Sequence, residues 1–171
     1  MAVMGVVLAI ASFGLTLVLF DVLRPERGEP GSLSLVTAQN GLRLMISRSK
    51  KTDHGPERAF NGSVNADSFW ESPGPFPIEL TLQFPQSTIL SNYTFRTDLE
   101  PSRMPSHWLV EGSEDGRKWS VLDEQKIDET WKSGESRIFS LRAQVSVRQL
   151  RLRFLQGTSA TILRINKIEF H

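Results

Sequence analysis

Residues 105–122 read P-S-H-W-L-V-E-G-S-E-D-G-R-K-W-S-V-L, two arms of strand-forming residues joined through Glu114, Asp115 and Gly116. An Asp-Gly pair between apolar-bearing arms is a strong hairpin signal, because glycine accepts the positive φ that a tight turn demands. The stretch is therefore expected to form a β-hairpin in which Trp108 and Trp119 pack near each other. Such an element points toward a binding module and away from an enzyme.

Working outward, the same period of two recurs. Ile78, Leu80, Leu82 and Phe84 alternate with Glu79, Thr81 and Gln83, so one face is core and the other wet. Ile89 to Thr97 is rich in β-formers and reads as a second strand, joined to the first by a link containing Pro85. Leu150, Leu152 and Phe154 alternate with Gln149, Arg151 and Arg153. Ile162 to Phe170 reads as one closing strand whose apolar phase slips between Ile165 and Ile168, as a bulge would cause. Leu33 to Val36 and Leu42 to Ser47 are further short strands about the turn pair Asn40-Gly41. Many short strands and few helical patterns predict an all-β fold, an antiparallel β-sandwich or jelly roll.

The N-terminal end has another character. Met1 to Phe20 carries no charge, and a helix of that length reaches ~30 Å, the thickness of a bilayer's hydrocarbon core. Residues 1–23 are expected to form one transmembrane helix, 24–32 a Pro, Gly and charge-rich linker, and 33–171 the sandwich. A cleaved secretory signal is the competing reading, but no Lys or Arg precedes the apolar run. Arg24, Arg27, Arg43, Arg48, Lys50 and Lys51 follow it, which by the positive-inside rule puts the domain in the cytoplasm. The 171 residues hold 20 Lys plus Arg against 19 Asp plus Glu, a balance that argues against nucleic acid as a partner. With no cysteine, thiolate catalysis, disulfides and zinc-thiolate sites are excluded. His54, His107 and His171 show no metal-ligand spacing, and neither a G-x-S-x-G elbow nor a phosphate loop occurs.

Two segments together carry a family likeness. R-A-F-N-G-S-V-N-A-D-S-F-W-E-S, from Arg58 to Ser72, resembles the early A-x-D-G motif and following Trp of discoidin domains, also called coagulation factor type C or galactose-binding-like domains. The 105–122 hairpin resembles their mid-domain pattern, and R-Q-L-R-L-R-F with L-R-I-N-K-I-E-F resembles their closing strands. The likeness spans about residues 33–171. It implies a galactose-binding-like sandwich, and an extracytoplasmic position that outweighs the Lys/Arg count.

Many carbohydrate-binding relatives wrap a structural calcium with the early motif, using carbonyls, a carboxylate and a hydroxyl. Here the carboxylate position is Asn61, and Asn65, Asp67 and Ser68 are the other oxygen sources. The alternative is a turn held by Asx-type hydrogen bonds without an ion. Ligands of the family bind on loops at one end of the sandwich. The resemblance nominates Trp131 as an aromatic platform, with His107, Arg103 and Arg96 as polar contacts. Met104 is the one candidate for an apolar spike of the kind that lipid-binding members present.

Two functions follow from these features. One is a membrane-anchored, non-catalytic recognition module for a glycan or protein, inserted in the bilayer through residues 1–23. The other is an accessory subunit of a larger membrane complex, for example an energy-transducing one, whose small helix residues Gly5, Ala9, Ala11, Ser12 and Gly14 permit close packing against other subunits.

Overall fold

A computed structural model describes residues 34–37, 42–47 and 54–171. Its strands are β1 (Ser34–Thr37), β2 (Arg43–Ser47), β3 (Trp70–Pro73), β4 (Ile78–Arg96), β5 (Pro105–Ser113), β6 (Ser120–Lys126), β7 (Ser136–Gly157), β8 (Ile162–Ile165) and β9 (Lys167–Phe170). Short 3₁₀ turns lie at Pro56–Phe60 and Pro101–Arg103. The expected span over 1–23, the linker and the Asn40-Gly41 turn fall outside the described residues. Among those residues no helix is long and apolar enough to cross a membrane.

All pairings are antiparallel, and the main sheet runs β1-β2-β4-β7-β5-β6 with β9 also joined to β4. The organising feature is the pair of long strands. The first half of β4 lies between β2 and the second half of β7, with Leu80 opposite Leu152. Its second half lies between β9 and the first half of β7, with Phe95 opposite Arg137 and Ile168. Phe95 also meets Trp108 and Phe154 at ring-centroid distances of 5.2 and 6.0 Å, although neither is its ladder partner. Those contacts run between faces, so β4 and β7 pass from one layer of a sandwich to the other. The small β3-β8 sheet adds Trp70, Leu163 and Ile165 to the same core.

The alternation in the sequence is the burial pattern. Ile78, Leu80, Leu82, Leu150, Leu152 and Phe154 are buried, while Glu79, Arg151 and Arg153 form ion pairs on the outer face. Each apolar side chain of this size gains ~1.5–3 kcal/mol on leaving water, and the two inward faces together make one contiguous core.

The structure differs from the sequence reading in three places. Ile78–Arg96 is one strand, not two. Pro85, which lacks an N–H, falls where the register jumps between Gln83 and Thr88, so the link is a bulge within a continuous strand. The closing segment is two strands: β8 pairs with β3 and β9 with β4, and the phase slip marks Asn166, where the chain changes sheets. The hairpin is present, with Gly116 at φ +71° and Asp115 Oδ1 accepting from the Arg117 and Lys118 amides. Its two tryptophans do not pair, however. Trp108 lies opposite Gln125 with its ring in the core, whereas Trp119 precedes Ser120, which lies opposite Gly112 near the turn. The Arg151 guanidinium stands 4.3 Å from the Trp119 ring on the outer face.

Candidate functional site

The nominated side chains do not assemble into one site. Trp131 is 2% exposed, donates from Nε1 to the Pro105 carbonyl at 3.0 Å, and is covered by Arg137 at 4.2 Å. It is a wedge between the 127–135 loop and β5, so its ring is not an exposed platform. His107 lies on the β5-β6 ladder with Nε2 3.0 Å from Glu124 Oε1. Arg96 donates to Ser136 Oγ at 3.2 Å. Met104 is buried and belongs to the core, so it is no spike. Only Arg103 enters a larger polar cluster at the sandwich's end.

That cluster is built on the outward positions of the small sheet. Along β3, Trp70 and Ser72 are buried and Glu71 faces the other way; along β8, Leu163 and Ile165 are buried and Arg164 faces the other way. The register sets Glu71 directly opposite Arg164, where opposite charges support each other across a ladder. Arg164 donates to Glu71 Oε2 from Nη2 at 2.7 Å and from Nε at 2.9 Å, and from Nη1 to Asp98 Oδ2 at 3.1 Å. The 3₁₀ turn at Pro101–Arg103 brings Arg103 Nη1 to the same Glu71 oxygen at 3.0 Å. Behind the arginine, Phe69 lies 3.9 Å from the Arg164 guanidinium carbon and stacks on His54 at 4.0 Å. Asp98 is held independently: its Oδ1 accepts from the Glu100 amide and its carbonyl from the Gly134 amide.

The electrostatics favour a charged Glu71. Burial pushes its pKa up, but the hydrogen bond and charge of Arg164, followed by those of Arg103, outweigh this and hold it below the ordinary value of 4.5. Exposure then divides the group. The Asp98 side chain is 3% accessible and that of Arg164 15%, while Glu71 and Arg103 reach 23% and 33%. A fixed carboxylate and a half-open guanidinium present acceptors and donors to solvent in a set orientation, which suits a neutral polyhydroxylated ligand. Glu71, Asp98 and Arg164 were missed in the sequence because each reads there as an ordinary wet-face or turn residue. Glu71 and Arg164 are 93 residues apart in the chain, and only the β3-β8 pairing joins them.

The loop from Arg58 to Ser68 has an arrangement of its own. Asn61 Oδ1 accepts from the Ser63 amide at 2.9 Å, and Asn61 Nδ2 donates to Ser68 Oγ at 2.8 Å. Arg58 Nη1 donates to the Asp67 carbonyl at 3.0 Å. The Asn65 and Ser68 carbonyls both accept from the side-chain amide of Asn166, at 2.9 and 2.7 Å. Of the residues nominated as calcium ligands, Asn61 is thus engaged through its side-chain oxygen and Asn65, Asp67 and Ser68 through their main-chain carbonyls. A nitrogen-borne proton stands at each of these carbonyls, and the loop's one carboxylate, on Asp67, is exposed and takes no part in the network, so the residues as arranged do not fit the ion.

Fold and site define a galactose-binding-like β-sandwich with a polar cluster at one end. Residues 45–168 match the F5/8 type C domain family, and the chain belongs to that family. No curated protein sequence matches it significantly. Solved structures share the fold at low identity. CpGH89CBM32-5 from Clostridium perfringens, in complex with GalNAc-beta-1,3-galactose, has a TM-score of 0.63 at 17% identity, covering 80% of this chain and 99% of its own. The family 32 module of Clostridium perfringens NanJ, in complex with galactose, has a TM-score of 0.63 at 11% identity, covering 75% and 92%. The family 32 carbohydrate-binding module of Streptococcus pneumoniae EndoD has a TM-score of 0.62 at 13% identity, covering 81% and 99%.

Proposed function

We propose that this domain is a non-catalytic glycan-recognition module whose ligand is met at the Glu71, Arg103 and Arg164 cluster. The carrying observation is the sharing of Glu71 Oε2 by two arginines, one of which stays one-third exposed. Sugar hydroxyls each donate and accept, so a site that offers both from groups fixed by one another binds them without first ordering loose side chains. The family assignment and the similar modules that hold galactose or GalNAc-beta-1,3-galactose support this reading. The aromatic ring nearest the cluster, Phe69, is covered by Arg164 and His54. Hydrogen bonds to hydroxyls, more than stacking on a ring face, therefore carry recognition here.

The test is calorimetric titration with galactose- and GalNAc-terminated oligosaccharides, after a glycan array to rank them. Arg103→Ala is expected to weaken binding at least ~10-fold, the loss that follows removal of about 1.4 kcal/mol of charged hydrogen bonding. Absence of any glycan ligand, or an Arg103→Ala protein that binds as the wild type does, would overturn the proposal.

A further inference from the structure

We infer that Asn166 is a built-in lock that takes the place of a cation beneath the 61–68 loop, so that the loop keeps its shape without calcium. Asn166 is fully buried at the point where the chain passes from β8 to β9. Its backbone N–H donates to the Arg96 carbonyl at 3.0 Å, which fixes it to the end of β4. Its side-chain amide reaches across to the loop and has two donors. Each is used on a different main-chain carbonyl, those of Asn65 and Ser68. This pairing also fixes the amide's orientation, since turning it over would set Oδ1 against two carbonyl oxygens. Oδ1 is left buried without a hydrogen-bond partner among the described residues. A leucine there would leave two carbonyls stranded instead, whereas the amide gathers both with one residue.

The surroundings reinforce the same outcome. Ser68 is buried and its hydroxyl lies between Asn61 and the Arg58 carbonyl. Ser68 N–H closes on the Asn65 carbonyl at 3.0 Å, and Arg58 brings a guanidinium to the Asp67 carbonyl. A calcium ion takes six to eight oxygens, and carboxylates among them offset the cost of stripping its water. Here the side chains joined in the network are two amides, hydroxyls and a guanidinium, and the loop's one carboxylate, on Asp67, is exposed and outside it, so a single peripheral charge stands against a double positive charge that the guanidinium opposes. Ser68 leads directly into Phe69 and Trp70, so the lock holds the start of the strand that carries Glu71. The inference is independent of whether a glycan binds.

Thermal melting of the 171-residue chain in millimolar calcium and in EDTA tests it. Equal midpoints are expected. A native-state calcium site at a hundredfold excess over its Kd would raise Tm by about 5–10 °C, and a shift of that size in the wild type overturns the inference. Asn166→Ala is expected to lower Tm and to strip hydrogen-exchange protection from the Ser68 amide, with calcium restoring neither. Unchanged protection would show that Asn166 locks nothing. Should that variant fail to fold, the wild-type titration still decides. Asn61→Asp with Asn166→Asp is expected to create a calcium-dependent rise in Tm, and no rise would count against the two amides being what forecloses the ion.

Discussion

Asp123 and Glu71 are both carboxylates held by side chains from other strands, one inside the aromatic core and the other at its rim. Asp123 Oδ2 accepts from the Tyr93 hydroxyl at 2.7 Å, and that hydroxyl accepts from Trp108 Nε1 at 2.8 Å. Tyr93 and Trp108 are inaccessible to water, and Phe95 and Phe139 pack on both rings. Burial, and then Asp123, drives the Tyr93 pKa far above 10, so the phenol stays a donor. Every group in this relay is matched. At the rim, two guanidiniums converge on Glu71 and part of that array faces solvent. Hydrogen-bonded carboxylates thus occur in two settings: sealed and matched, one specifies the core; half open and rich in donors, the other leaves hydrogen-bonding groups facing solvent, as the proposed glycan site requires.

The largest way to break the comparison lies in the core. Trp108→Ala removes a fully buried indole between Phe95 and Phe139 and leaves Tyr93 without its donor. It is expected to cost ~3–5 kcal/mol, measured by urea denaturation. Tyr93→Phe keeps the ring but strands Trp108 Nε1 and leaves Asp123 only the Gln125 amide as a side-chain donor, and should cost ~1–3 kcal/mol. A Tyr93→Phe protein as stable as the wild type would show that the relay contributes nothing beyond its rings.

At the rim the expected balance between stability and binding is the reverse. Arg103→Ala should change stability by no more than ~1 kcal/mol, the usual worth of a partly exposed ion pair, while weakening glycan binding. A large loss of stability would move this arginine into the structural class and leave the comparison without its second half.

The sandwich was legible in the sequence because burial on one face writes itself as a period of two, clearest at Ile78–Phe84 and Leu150–Phe154. The Asp-Gly turn was legible because its backbone needs glycine. What local pattern cannot carry is pairing at a distance. Trp108 and Trp119 share a hairpin but serve opposite faces, and the phase slip between Ile165 and Ile168 reads as a bulge although it marks a change of sheet. The site suffered most. Trp131 has the composition of an exposed loop residue, yet a backbone carbonyl and the Arg137 guanidinium bury it. Arg164 reads as one more wet-face arginine until β3 supplies its carboxylate. Arg103 was nominated only by resemblance, and its partner emerges only from tertiary packing.

The smallest expected effect sharpens the comparison most finely, because it concerns protonation alone. Glu71 is held below its ordinary pKa of 4.5 in the folded chain, so the folded state binds its proton less readily than the unfolded state does. Its contribution to stability is therefore fully present above 4.5 and is lost as pH falls through the depressed value. Glu71→Gln keeps the shape and a hydrogen-bond acceptor but cannot titrate. The difference in urea midpoint between wild type and Glu71→Gln should hold steady from neutral pH down to about 4.5 and shrink below it. Glycan affinity of the wild type should fall over the same acid range, since protonation releases Arg103 and Arg164 from the oxygen that orients them. A midpoint difference independent of pH would mean that Arg103 and Arg164 do not hold that carboxylate in solution. The rim cluster would then have no more fixed geometry than any exposed pair, and its claim to a ligand would fail with it.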